Sequence, residues 1–277
     1  MSDETGNGDA HQHLLALKGF TKTFGPVQAL VDVDFEVDAG EIVALVGDNG
    51  AGKSTLIKAI DGVQPADKGE MYFEGERVNV TGPQHAARLG IATVFQDLAL
   101  CDNLDVVANL YLGQEVTGNM RVKALNETEM EKHSLKLLDE LAVTTLGSVR
   151  TPVGSLSGGQ RQSVAIARSL VGAPKVILFD EPTAALGVSQ TEQVLHLEKR
   201  LAERGLGVVV ISHNLANVFA VADRIVVLRL GRRVASFKKE ETTREEVVAT
   251  ITGADTDHRT LASVGEMEEL EVEELEE

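Results

Sequence analysis

The densest chemistry in this chain lies in Gly47-Asp48-Asn49-Gly50-Ala51-Gly52-Lys53-Ser54, which fits the spacing G-x-x-x-x-G-K-[ST]. Glycines at these positions let backbone N–H groups wrap a string of phosphates, and a helix that starts at the end of the loop adds positive potential. Lys53 would neutralise the β- and γ-phosphates of a nucleoside triphosphate. The Ser54 hydroxyl would ligate magnesium, and Thr55 supplies a second hydroxyl.

Two further segments have the chemistry to complete such a site. Val176-Ile177-Leu178-Phe179-Asp180-Glu181 is an apolar run that ends in two carboxylates. In a parallel sheet that end opens at the same edge as the phosphate loop, so Asp180 can reach the magnesium through its water shell and Glu181 can polarise an attacking water. Leu156-Ser157-Gly158-Gly159-Gln160 precedes a helical stretch through Leu170 and makes a second anion-binding helix end. One nucleotide pocket and two phosphate-binding helix ends invite dimerisation.

These segments need a scaffold of buried strands and covering helices. Ile42–Val46 is a continuous apolar run, as expected of a strand buried on both faces. From Leu14 to Val37 apolar residues recur at strand-like intervals, and Met71–Val80 reads as a hairpin turning at Gly75. Ile91–Phe95 is a further short strand, with helix formers after it in Asp105–Leu112 and Glu127–Leu141. From Val176 onward, strands at Val176–Asp180, Val208–Ser212 and Arg224–Leu228 alternate with helical stretches at Ser189–Glu203 and Leu215–Ala222. That rhythm predicts a mainly parallel sheet with helices on its faces, and Thr242–Ile251 predicts a last helix.

The phosphate loop, LSGGQ, the Asp180-Glu181 pair and His213 after an apolar strand, in this order, resemble the nucleotide-binding domain of an ABC ATPase. The resemblance covers about Leu14 to Gly253. It implies a P-loop NTPase core of α/β class with a mainly parallel sheet, an antiparallel β subdomain and a helical subdomain at about residues 97–155. It also implies ATP and Mg2+ as cofactors and a head-to-tail dimer with a second copy. In that dimer Ser157 and Gly159, within Ser157-Gly158-Gly159-Gln160, contact the γ-phosphate held by the other subunit. By the same comparison Phe24 stacks on adenine, Gln96 touches magnesium or water and begins the segment facing a transport partner, and His213 contacts the γ-phosphate and holds Glu181. The chain departs from the family in one loop: the usual Ser-Ala-Leu-Asp reads Ala184-Ala185-Leu186-Gly187, so a carboxylate that commonly links the two sites is missing.

Within the family, Glu181–Gly187, Gln96–Leu100 and Asn103–Gly113 resemble the ATPases of ribose-, xylose- and fructose-type importers. The implied partners are transmembrane permease subunits at the cytoplasmic face of the membrane and, indirectly, an extracellular substrate-binding protein. ATPases for other cargoes, and ABC ATPases without a transporter, are the competing classes. A basic interdomain linker or a long coiled coil would mark the latter, and neither is present, so no nucleic-acid partner is expected.

The bulk properties agree. The 277 residues, 43% hydrophobic, suit one large domain with a single copy of each motif. Of the formal charge of −17, residues 1–13 contribute −3 and Glu266–Glu277 contribute −8. Both ends are expected to be disordered, and the C-terminal one has an alternative as a short amphipathic helix. The one cysteine, Cys101, excludes an internal disulfide framework.

Overall fold

A computed structural model describes residues 12–117, 124–141, 143, 146–184 and 186–254. The expectations for residues 1–11 and 255–277 lie outside the described residues. At the start of the described chain the Gln12 amide donates to Glu74 O at 2.5 Å and His13 Nδ1 lies 2.7 Å from Asp38 Oδ1.

The strands are β1 (Leu15–Phe24), β2 (Val27–Val37), β3 (Ile42–Val46), β4 (Lys68–Phe73), β5 (Glu76–Val78), β6 (Ile91–Val94), β7 (Val176–Asp180), β8 (Gly207–Ile211), β9 (Arg224–Arg229) and β10 (Arg232–Lys238). They form two sheets. An antiparallel one runs β2-β1-β4-β5, and the larger runs β10-β9-β3-β8-β7-β6, parallel throughout except for β10 at its edge. The helices are α1 (Lys53–Ile60), α2 (Pro83–Leu89), α3 (Val106–Tyr111), α4 (Glu127–Glu140), α5 (Gly158–Leu170), α6 (Val188–Glu203), α7 (Leu215–Val221) and α8 (Arg244–Thr252).

Alternation along the central strands explains why the sequence shows apolar runs there. Val176 and Leu178 of β7 face one core with α1 and the antiparallel sheet, whereas Ile177 and Phe179 face a second core with α3 to α6. β3 divides likewise, sending Val43 and Leu45 to the first core and Ala44 and Val46 to a third under α7 and α8. A strand covered on both sides has no use for polar residues. Each such buried aliphatic or aromatic side chain contributes roughly 1.5–3 kcal/mol.

Two elements escape the sequence reading. α2 is a single short helix bracketed by Gly82 and Gly90, with Pro83 at its first turn, and the punctuating residues dominate the pattern. β10 is an edge strand whose side chains alternate between exposed and half-buried, so Arg232, Arg233 and Lys238 mask its period.

Candidate functional site

Parallel pairing brings the site residues to one sheet edge. β3 runs into the phosphate loop, β7 ends in Asp180, and β8, paired with β7 through Asp180 and Ile211, runs on into Ser212 and His213. Val94 of β6 pairs with Phe179, so the exposed Gln96 extends from the same edge as Glu181.

Glycine is required at the start of the loop. Gly47 has φ 149°, and a Cβ there would stand 2.1 Å from Leu228 O on the neighbouring β9. No side chain fits, so the start of the loop lies tight against the sheet. Inside the turn the Ala51 amide donates to Asp48 O at 3.1 Å and the Asn49 amide to Asp48 Oδ1 at 2.7 Å.

Lys53 folds back into this cradle. Its ammonium donates to Gly47 O at 2.8 Å and Asp48 O at 2.9 Å and is 6% exposed. Burial lowers its pKa, and the negative charges of Glu181, Asp48 and Asp180 oppose that shift. The ammonium is thus held in place before any phosphate arrives, with acceptors that a phosphate oxygen can replace.

The Ser54 hydroxyl donates to Asp180 Oδ1 at 3.2 Å, joining the first turn of α1 to the end of β7. Burial raises the Asp180 pKa; the Ser54 hydrogen bond and the Lys58 and Lys53 charges act the other way, and Glu181 adds to the rise. A half-buried hydroxyl beside a buried carboxylate gives hard oxygen donors, the kind a magnesium ion takes, and the ion's charge would relieve the cost of ionising Asp180 there.

Glu181 follows with φ 55°, a left-handed conformation unusual for a residue with a side chain. Its amide is held by Ile211 O at 3.1 Å, and its carboxylate meets His213 Nε2 at 2.6 Å. Backbone strain concentrates where a side chain must be aimed. The pair borders an open pocket of about 600 Å³ together with Thr183, Leu186 and Asn217. A second pocket, of about 250 Å³, lies between Gly47–Asn49, His213 and α8.

Phe24 is 42% exposed at the tip of the β1–β2 hairpin, with the Lys22 ammonium 5.5 Å from its ring centre. It is not a core residue, and the same β2 strand approaches the phosphate loop at Ala29, whose carbonyl would lie 2.6 Å from a Cβ on Gly52. Thr55 is half-buried in the first turn of α1.

LSGGQ heads α5 as a capping box. The Gln160 amide donates to Ser157 Oγ at 3.4 Å, and Gln160 Oε1 accepts from the Ser157 amide at 2.9 Å. Ser157 and Gly158 are exposed, whereas Gly159 is buried against Gln190 at the start of α6. Gln190 Oε1 also accepts from the Gly187 amide at 3.2 Å, so the loop after Glu181 and the LSGGQ turn share one side chain.

Sequence reasoning missed Gln190, and it missed Arg168 of α5, whose guanidinium donates to Leu98 O at 2.8 Å and Ala99 O at 2.7 Å beyond Gln96. Neither belongs to a phosphate-binding motif, and both act across tertiary contacts that spacing does not reveal.

The two sheets, the glycine loop on α1 and the carboxylate pair at the end of β7 define an ATP-binding cassette, an ATPase of the phosphate-loop class. A family model described as ABC transporter matches residues 30–184, and the chain belongs to that family. It is 46% identical over 239 residues to a xylose/arabinose import ATP-binding protein of Sulfolobus acidocaldarius, covering 86% of this chain and 94% of that protein. To a fructose import ATP-binding protein of Rhizobium meliloti it is 44% identical over 249 residues, covering 88% and 96%. A ribose import ATP-binding protein of Burkholderia ambifaria is 37% identical, with 89% of this chain matching 48% of that longer protein.

Among solved structures, an ATP-binding cassette of an ABC transporter in its ADP conformation superposes with a TM-score of 0.73 at 29% identity, covering 87% of this chain and 95% of that one. A dimeric cassette in a post-hydrolysis state bound to ADP and Pi gives 0.69 at 30% identity, covering 81% and 98%.

Proposed function

We propose that this chain hydrolyses ATP to drive monosaccharide import through a separate permease. The observation that carries the chemistry is the convergence at one sheet edge of Lys53 in its glycine cradle, the Ser54–Asp180 contact and the Glu181–His213 pair. The sugar assignment rests on likeness to relatives named for xylose/arabinose and fructose import over nearly their whole length.

In this reading Phe24 stacks on adenine, the amides of Gly47–Ser54 bind the phosphates, Thr55 adds a hydroxyl, and Lys53 leaves its loop carbonyls for the β- and γ-oxygens. Ser54, Asp180 and Gln96 would hold magnesium, which supplies neutralisation of phosphate charge when bound. Glu181 orients a water for in-line attack on the γ-phosphorus and accepts its proton. The bond to the bridging oxygen breaks, that oxygen leaves with ADP, and His213 keeps Glu181 and the γ-phosphate in register.

Ser157, Gly158, Gly159 and Gln160 act on the ATP of a second copy. The exposure of Ser157 and Gly158 and the capped helix end suit an anion arriving from outside the subunit. Each ATP is then sandwiched, and hydrolysis reopens the dimer. The segment after Gln96 meets cytoplasmic permease helices, and an extracellular binding protein delivers the sugar. None of the described helices is long and apolar enough to cross a membrane, which fits a peripheral subunit.

The test is purification of the tagged chain from its own membranes. Two permease copies should accompany two copies of this chain, and ATP turnover should rise with monosaccharide and its binding protein. Association with ribosomes or DNA instead, or stimulation only by a cargo that is not a sugar, would overturn the assignment.

A further inference from the structure

The apolar face of α6 consists of Val194, Leu197, Glu198, Leu201 and Ala202, all buried at helical spacing. Glu198 stands in the middle of it. The residue is 0% exposed, and neither carboxyl oxygen has a hydrogen-bond partner. A glutamate so placed is costly to ionise, and an apolar side chain of similar size would pack there without that cost.

The wall around it is mostly apolar, and Thr183, Ser212 and Asn217 are the polar side chains that join Glu198 in it. Glu198 lines a small cavity about one water molecule in size, walled by β3, β8, α7 and the loops after β7 and β8. Thr183 follows Glu181 by two residues, and Ser212 immediately precedes His213. The cavity therefore backs directly onto both chain segments that carry the Glu181–His213 pair. Thr183 Oγ1 accepts from the Asn217 amide at 3.3 Å, and Ser212 Oγ accepts from the Asn214 amide at 3.1 Å, which leaves capacity at both hydroxyls for another partner.

We propose that this cavity binds a single water held by Glu198 as a neutral carboxylic acid, and that the pair fixes Thr183 and Ser212, and so sets the Glu181–His213 geometry. Glu198 is a positioning residue for hydrolysis. The proposal rests on the ATPase reading of the same site.

Burial pushes the Glu198 carboxyl up to about 8, so it keeps its proton at neutral pH and can donate. Nothing packed on it supplies a charge. Alongside Leu195 of α6 itself, β3 contributes Ala44, β8 contributes Val210, α7 contributes Asn217, Val218 and Val221, the loop after β7 contributes Pro182 and Thr183, and the loop after β8 contributes Ser212. The ionisable groups on those segments, Glu181 and His213, line the outer pocket instead. Arg200, a half turn further along α6, is committed to Leu141 O at 2.6 Å.

The experiment compares wild type, Glu198→Gln and Glu198→Leu in ATP turnover against pH, with a high-resolution crystal structure of each. Wild-type kcat should fall as pH rises through about 8. Glu198→Gln, a neutral hydrogen-bonding isostere, should keep turnover at pH 7 within about two-fold and lose that alkaline fall. Glu198→Leu should fold with equal or higher Tm, show no water in the cavity, and lower kcat by roughly five-fold or more with KM for ATP unchanged.

A Leu variant with wild-type kcat, an alkaline fall retained in Gln, or a dry wild-type cavity would overturn the proposal. A wild-type chain that binds the water but never hydrolyses ATP would instead sink the ATPase reading. The crystal density distinguishes the two failures.

Discussion

Gly159 and Gln190 fit together only because one of them has no side chain: a Cβ on Gly159 would stand 2.8 Å from Gln190 Cγ and 3.0 Å from its Cδ. The same amide group caps α6 through the Gly187 amide. Any shift of the LSGGQ turn therefore presses on the loop leading back to Glu181.

Gly159→Ala is expected to displace Gln190 and lower turnover, with a Tm loss of a few degrees, corresponding to about 1–2 kcal/mol of overpacking. Adding Gln190→Ala makes room for the methyl group. A double-mutant cycle should show coupling above about 0.5 kcal/mol. Strict additivity in turnover and Tm would mean that the contact is idle.

Lys53→Ala removes the cation seated on Gly47 O and Asp48 O. ATP affinity should fall by roughly 10–100-fold, the worth of a charge-assisted hydrogen bond at about 1.5–3 kcal/mol. Calorimetric titration checks this, and unchanged affinity would reject the role.

Glu181→Gln keeps the shape of the side chain 2.6 Å from His213 Nε2 and removes its basicity. Turnover should drop by about 10²–10⁴-fold while ATP still binds. Light scattering with ATP should then report a stable dimer. A strictly monomeric variant, even with its permease, would break the sandwich model.

Stability should carry the imprint of Glu198. Its carboxyl ionises near 4.5 in the unfolded chain and at about 8 in the native one, so between those values the native state holds the extra proton. The contribution of Glu198 to stability is therefore highest below the unfolded value and declines as pH rises through this window, by up to about 1.4 kcal/mol per unit. Tm of wild type should fall between pH 5 and 8 relative to Glu198→Gln. Parallel Tm curves for the two proteins would contradict the burial argument.

Gly187→Asp supplies the carboxylate that the resemblance leads one to expect at this position and offers α6 a side-chain N-cap, worth only a few tenths of a kcal/mol over glycine. We expect a slightly higher Tm and a steeper dependence of turnover on ATP concentration. An unchanged Hill coefficient would show that this loop communicates without it.

The phosphate loop, LSGGQ and the Asp180-Glu181 strand end were legible because each is a contiguous run whose backbone conformation is dictated locally by glycine or by burial. The parallel sheet was legible from apolar runs covered on both faces. Edge strand β10 was not, since a half-wet strand with arginines has no clean period, and short α2 is mostly its own boundaries. Gln190, Arg168 and the Glu198 cavity draw their meaning from partners 30 to 70 positions away or from a wall built by four elements. Glu198 did leave one trace, an acid at a core position of the α6 stripe, and weighing each helix face for misplaced charge would have found it.

The attachment of the segment after Gln96 has a mechanical consequence. Arg168 grips the Leu98 and Ala99 carbonyls, Arg161 pairs with Asp102 at 2.7 Å, and the buried Asn109 bonds the Cys101 backbone on both sides. Both arginines ride on the helix that LSGGQ heads. The stretch from Leu98 to Asp102 is thus clamped to that helix like the handle of a crank, and a rotation at the LSGGQ end reaches it with little slack to absorb the stroke.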